Sequence, residues 1–227
     1  MGWLTRSGPR APRRCPPMPA PAPPLILAST SRYRRELLAR LRLPFEVVAP
    51  EVDETPQPGE APAALATRLA LAKAEAVARQ RPDAVVIGSD QVCEVAGHSL
   101  GKPGSHERAV QQLRLQSGRE ALFHTALAVV HAAAGFARHD LAPVRVRFRA
   151  LADAEIERYL RLEQPYDCAG SAKCETLGIA LLDAIDSDDP TALVGLPLIR
   201  TARLLRAAGL DPLAAPGDGA GMRPTHG

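Results

Sequence analysis

Residues 120–132, EALFHTALAVVHA, and residues 144–151, VRVRFRAL, decide the fold. The first is an apolar run of strand length. The second alternates strictly, with Val144, Val146 and Phe148 on one face and Arg145, Arg147 and Arg149 on the other. A period of two marks a half-buried strand, so the two segments are expected to pair as antiparallel neighbours. On either side the pattern is different. Leu25 to Ala28 reads as a short apolar strand, and LASTSRYRRELLARL (27–41) carries it through a turn into an amphipathic helix striped by Leu37, Leu38 and Leu41. FEVVAPEVDE (45–54) reads as a strand entering an acidic loop, which Pro56, Pro58 and Gly59 prolong. Pro62 opens a helix reaching to near Gln80. DAVVIGSDQVCEV (83–95) is rich in β-formers, GKPGS (101–105) is a turn, and a helix runs from Ser105 to Gln116. Asp153 is expected to cap a helix ending at Glu163, GIALLDAI (178–185) to form a strand, and 196–210 a last helix. Strands and helices intermix, with parallel and antiparallel pairs, so the class is a mixed α/β sheet flanked by helices.

The chain has 227 residues and a net charge of +3, with its cations interspersed among acids. That distribution argues against a nucleic-acid surface. No apolar run approaches the roughly 18 residues of a transmembrane helix. The cysteines are Cys15, Cys93, Cys168 and Cys174, and their spacing fits no zinc finger, so free thiols are expected. Residues 1–24 are rich in Pro, Arg and Ala and lack the apolar core of a signal peptide. Disorder is expected there and in the Gly/Pro-rich 213–227, with Met18 an alternative start.

Several residues fit poorly with a purely structural role. Arg32, Arg34 and Arg35 crowd the start of a helix, where the macrodipole favours acids. A bound anion would reverse that penalty, and Ser29, Thr30 and Ser31 supply a turn of backbone N–H groups behind it. Arg suits bidentate phosphate contact, although GxxxxGK[ST] is absent. Lys73 sits at the edge of its helix's apolar stripe, either snorkelling or reaching a cleft. Asp90 ends the apolar run Val85–Val86–Ile87, where open α/β sheets place ligands. With an acid from Glu51, Asp53 or Glu54, it could hold Mg²⁺ or Mn²⁺ together with phosphate oxygens. Lys102 stands on the GKPGS turn. The small residues of CAGSAKCETLG (168–178), before Lys173 and Glu175, suggest close approach to a ligand.

Taken in order, LILASTSRYRRELL, PEVDET, LALAKAEAV, VIGSDQV, GKP, CAGSAKCETLGIAL and LVGLP resemble the Maf-like nucleotide pyrophosphatases over roughly 25–212. The SDQ at Asp90 is similar to the branch acting on 7-methyl-GTP; the dTTP/UTP branch typically has ADT. The resemblance implies a cytoplasmic, metal-dependent enzyme that splits a nucleoside triphosphate into monophosphate and pyrophosphate. It also implies an elongated sheet in two lobes around a central cleft, and a homodimer. It places Asp90 on the proton acceptor and Tyr33, Gln91 and Glu175 on substrate-selecting positions. Ser29, Arg34, Lys73 and Lys102 fall on phosphate positions, with Arg35 or Arg32 assisting, and Glu54 with Asp90 on the metal. The family commonly has Thr-Gly where this chain has Thr125-Ala126, which raises the question of strain. A dTTP/UTP pyrophosphatase and a nucleotide-binding regulator of cell division are the alternatives.

Overall fold

A computed structural model describes residues 22–214. The expected N-terminal and C-terminal tails lie almost wholly outside these residues. Pro24, at the boundary, is already part of the sheet system, its carbonyl accepting from Val85 N–H at 2.8 Å.

The strands are β1 (Leu25–Ala28), β2 (Glu46–Val48), β3 (Val85–Val95), β4 (His98–Leu100), β5 (Glu120–His131), β6 (Phe136–Phe148) and β7 (Leu182–Asp186). The helices are α1 (Arg32–Ala39), α2 (Pro62–Ala78), α3 (His106–Gln116), α4 (Asp153–Glu163) and α5 (Leu198–Ala207). One sheet runs in the order β2-β1-β3-β5-β6-β7, with β4 added to the edge of β3. β2, β1 and β3 are parallel; β3, β5, β6 and β7 alternate in direction, as does the β3–β4 hairpin. The mixed sheet read from the sequence is therefore the observed one, and 120–131 pairs with 136–148 as antiparallel neighbours.

Two strand faces of unlike character explain the layering. Ile26, Ala28, Val86, Val92, Ala126, Ala128 and Val130 pack against α2 through Leu65, Ala66, Leu69 and Val77. Leu25, Leu27, Val85, Ile87, Leu127 and Val129 pack the other way, against Leu37 and Leu38 of α1 and Leu204 and Leu205 of α5. Farther along the strands Cys93, Val95, Phe123, Val144 and Val146 meet α3 and α4. The long strands β3, β5 and β6 thus join three packed clusters, two on opposite faces of the sheet and a third farther along. α2 lies very close to β3: a Cβ on Gly88 would stand 2.2 Å from the Ala70 carbonyl oxygen and 2.6 Å from Ala74 N. Only glycine permits that approach.

Some expected boundaries differ. β6 begins at Phe136 rather than Val144, β4 had no sequence signal, and 177–181 is a 3₁₀ turn ahead of β7. Helix α4 is capped by Ala152, not Asp153; the Glu155 carboxylate accepts from Ala152 N–H at 2.8 Å. Ala126 lies in ordinary strand conformation opposite Asp90, so the substitution of alanine there causes no positive-φ strain.

Candidate active site

β1 pairs with β3 through Gly88, and β4 takes up the same edge from Cys93 onward. Among the described residues no strand covers 89–92 on that edge. The interruption spans about 13 Å at ~3.3 Å per residue. The segment after β1, the acidic loop before α2 and the 101–104 turn after β4 supply Arg34, Glu54 and Lys102, which interact electrostatically with one another near Asp90.

Close packing at Gly88 sets Lys73, next to Ala74, over the strand. Its ammonium donates to Asp90 Oδ1 and Glu54 Oε1, both at 2.7 Å. Lys73 is 5% exposed and Asp90 8%. Lys73 thus ends on two carboxylates and does not carry its ammonium out to solvent as a snorkelling stem would. Burial works to raise the Glu54 carboxyl; the hydrogen bond and charge of Lys73, then Lys102 and Arg34, hold it below its usual range.

Arg34 enters from the other side. Ser31 caps α1, its hydroxyl accepting from Arg34 N–H at 3.4 Å, while buried Ser29 Oγ accepts from Ser31 N–H at 3.1 Å. Arg34 Nε donates to the Gly195 carbonyl at 2.9 Å. Burial lowers the guanidinium's pKa, against the pull of Asp90 and Glu54. Among the described residues it has no carboxylate within salt-bridge distance. Arg35 is exposed. Lys102 is exposed on its turn, which is fastened where the Gly101 carbonyl accepts from Gln112 Nε2 at 3.1 Å and Gly104 N–H donates to the Tyr166 carbonyl at 3.0 Å.

Tyr33 lies against the 167–173 segment. Its hydroxyl accepts from Arg32 at 2.6 Å and donates to Asp167 Oδ1 at 3.3 Å. Lys173 Nζ lies 5.8 Å and Arg32 Cζ 4.7 Å from the ring centroid. Burial raises the phenol pKa. Glu175 is exposed, its carboxylate accepting from the Cys174 thiol at 3.8 Å. Burial pushes the Cys168 and Cys174 thiols up to about 12, so both remain protonated at neutral pH. The small residues of 168–178 make close approach to the chain itself. A Cβ on Gly178 would stand 2.5 Å from the Lys173 carbonyl oxygen, and one on Gly170 3.0 Å from Cys93 Sγ.

The structure thus gathers Glu54, Lys73 and Asp90, with Arg34 and Lys102 in electrostatic reach. Gln91 is not brought to them. Strand alternation turns its side chain to the opposite face, where Nε2 reaches Thr125 Oγ1 at 2.9 Å and the Leu193 carbonyl at 3.0 Å. The sequence singled out LVGLP (193–197) as a motif but assigned no role to the 192–195 turn, which meets both Gln91 and Arg34 through backbone carbonyls.

Glu54 and Asp90 accept from one ammonium, so their carboxylates converge on a single point. Among the described residues no group of three or more His, Cys, Asp or Glu side chains could hold a metal. A two-carboxylate oxygen set fits a hard cation such as Mg²⁺ or Mn²⁺ whose other ligands come from phosphate and water.

A family model described as Maf-like protein matches residues 24–208. A protein of Albidiferax ferrireducens named 7-methyl-GTP pyrophosphatase is 66% identical over 191 residues, 84% of this chain and 96% of that one. A Polaromonas protein of the same name is also 66% identical, over 86% of this chain and 89% of that one. A Bordetella pertussis protein so named is 62% identical over 86% and 98%. With seven ordered motifs, a model matched across nearly all the described residues and relatives this similar end to end, the chain belongs to the Maf-like protein family.

Proposed function

We propose that the chain is a nucleotide pyrophosphatase that hydrolyses 7-methyl-GTP to 7-methyl-GMP and pyrophosphate. The observation that carries this reading is the partly buried Arg34 guanidinium, which among the described residues has no carboxylate partner and lies within electrostatic reach of the Glu54–Lys73–Asp90 cluster. A desolvated cation of that kind is stabilised by an anionic ligand. A triphosphate supplies several charges, for which Arg34, Lys73 and Lys102 are suited, with the exposed Arg35 assisting.

Asp90 takes the proton of a water that attacks the α-phosphorus. The bond from that phosphorus to the bridging oxygen breaks, and pyrophosphate leaves with its charge covered by the cations. Lys73, released from the carboxylates, donates to phosphate. Glu54 and Asp90 would hold Mg²⁺ or Mn²⁺, which supplies charge neutralisation and acidifies water.

Base selection falls to Tyr33 and Glu175. N7-methylguanine is cationic, and the Tyr33 ring already draws two cations; such contacts contribute roughly 0.5–2 kcal/mol. Glu175 can accept from guanine N1–H and its exocyclic amine, donors that thymine and uracil do not offer in that arrangement. Purified protein given 7-methyl-GTP, GTP, dTTP and UTP with Mg²⁺ or Mn²⁺ should release pyrophosphate fastest from 7-methyl-GTP. Glu175→Ala should reduce kcat/KM most for that substrate. Equal kcat/KM for dTTP and 7-methyl-GTP would reject the pocket. A homodimer in the cytoplasm accompanies this reading; sedimentation and cell fractionation test those two points.

A further inference from the structure

The 192–195 turn is held to the sheet by side chains that the chemistry above does not use. Thr125 Oγ1 donates to the Ala192 carbonyl at 2.9 Å, and Thr125 is wholly buried. Gln91 Nε2 lies 2.9 Å from Thr125 Oγ1, 3.1 Å from the Ala192 carbonyl and 3.0 Å from the Leu193 carbonyl, and its two amide hydrogens can serve two of them at a time. The hydroxyl of Ser89, also wholly buried, lies 3.0 Å from the Gly195 carbonyl and 2.8 Å from the Ala126 carbonyl, and can donate to one at a time. Gly195 adopts φ +119°, a conformation that suits glycine, and its carbonyl accepts from Arg34 Nε. Ser89 and Gln91 flank Asp90 in sequence but point to the other face of β3. Three polar side chains from two adjacent strands therefore end on carbonyls of one short turn, and that turn ends on the guanidinium.

A guanidinium has five N–H donors in a planar fork. Fixing Nε sets the plane of the fork and leaves both terminal amino groups for a ligand. We propose that Ser89, Gln91 and Thr125 are positioning residues which orient Arg34, through the 192–195 turn and the Gly195 carbonyl, for bidentate contact with the triphosphate. The inference rests on the assignment of Arg34 to phosphate and assigns Gln91 a part in phosphate handling. Asp90, Ser89 and Gln91 then share one strand, with Thr125 on the strand paired to it, so the base and the phosphate clamp keep a fixed separation.

The test uses inorganic tripolyphosphate as the ligand, which separates phosphate binding from hydrolysis and from base recognition. Calorimetry gives Kd for the full chain, Ser89→Ala, Thr125→Val, Thr125→Ser and Arg34→Ala, and for the double variants with Arg34→Ala. Ser89→Ala and Thr125→Val should each weaken binding about five- to tenfold, the scale of one lost hydrogen bond. Thr125→Ser, which keeps the hydroxyl, should bind as the unmodified chain does. Neither Ser89→Ala nor Thr125→Val should add to the loss in Arg34→Ala, because all would act through one group. Equal losses in both backgrounds, no loss in the single variants, or failure of the unmodified chain to bind tripolyphosphate would each overturn the proposal. Tripolyphosphate binding with this coupling, but no pyrophosphate released from any nucleotide, would sustain it while rejecting the pyrophosphatase reading.

Discussion

At the scale of single residues, Lys73 between Glu54 and Asp90 is the arrangement on which the chemistry turns. Two carboxylates drawn to one ammonium at 2.7 Å would repel each other without it. Asp90→Asn keeps the shape and removes the base. The expected outcome is a loss of about 10²–10⁴ in kcat, the usual contribution of a general base, with an unchanged thermal midpoint. Near-normal turnover would take Asp90 out of the mechanism. The three arginines that open α1 also separate at this scale. Arg34 is bound into the site, Arg32 stacks by Tyr33, and Arg35 is exposed.

At the scale of elements, the α2–β3 contact governs whether Lys73 reaches Asp90. Gly88→Ala places a methyl group against the backbone of α2, where a flexible side chain is not available to yield. Overpacking of this kind typically costs about 1–3 kcal/mol, and α2 must shift to relieve it. Chemical denaturation should show that loss, and activity should fall further than stability alone requires. Unaltered stability and turnover would show that the helix can move freely. This contact also shows what a sequence discloses. α2 was legible from Pro62 and its apolar stripe, and β3 from its β-branched run ending at Asp90. Lys73 and Asp90 were legible because charged residues stood where the local pattern called for apolar or turn residues, whereas only the family resemblance separated Glu54 from Glu51 and Asp53 in the same acidic loop. β4, three residues long, exists only by pairing with β3, and 136–143 is polar enough to hide its alternation until β5 is beside it. The part played by the 192–195 turn, within the LVGLP motif, stayed hidden for a different reason: it acts through carbonyl groups, which are the same in every residue.

At the scale of the whole molecule, acid should act through paired surface carboxylates. Arg68 holds Glu60 down to about 2, and Arg114 and Arg200 depress Asp153 and Asp188. A depressed folded-state pKa contributes stability above the unfolded value and loses it as pH falls through the folded value. For Glu60 that window runs from about pH 4.5 down to about pH 2. Thermal midpoints measured against pH should be flat from neutrality to near pH 5 and fall below it. In Arg68→Met the fall should be shallower, since Glu60 no longer gains from ionisation. An identical acid limb would remove this pair from the balance.

The uncovered stretch of β3 has a consequence for how the chain can change length. A strand has parity: adding one residue exchanges its two faces from that point onward. One residue inserted between Gly88 and Cys93 would turn Cys93 and Val95 out of their core and break the match with β5 at every position beyond. Two inserted residues restore parity and lengthen the interruption by about 7 Å. β5 would still need a compensating pair to keep the antiparallel register. Chains lengthened by two residues in β3 and two in the facing part of β5 should fold, while those lengthened by one in each strand should not, as soluble yield and circular dichroism would show. Soluble, folded protein from the single-residue set would mean that the packed clusters are less tightly tied than the shared strands imply. Within this family, the length of that stretch is then expected to vary in twos or not at all.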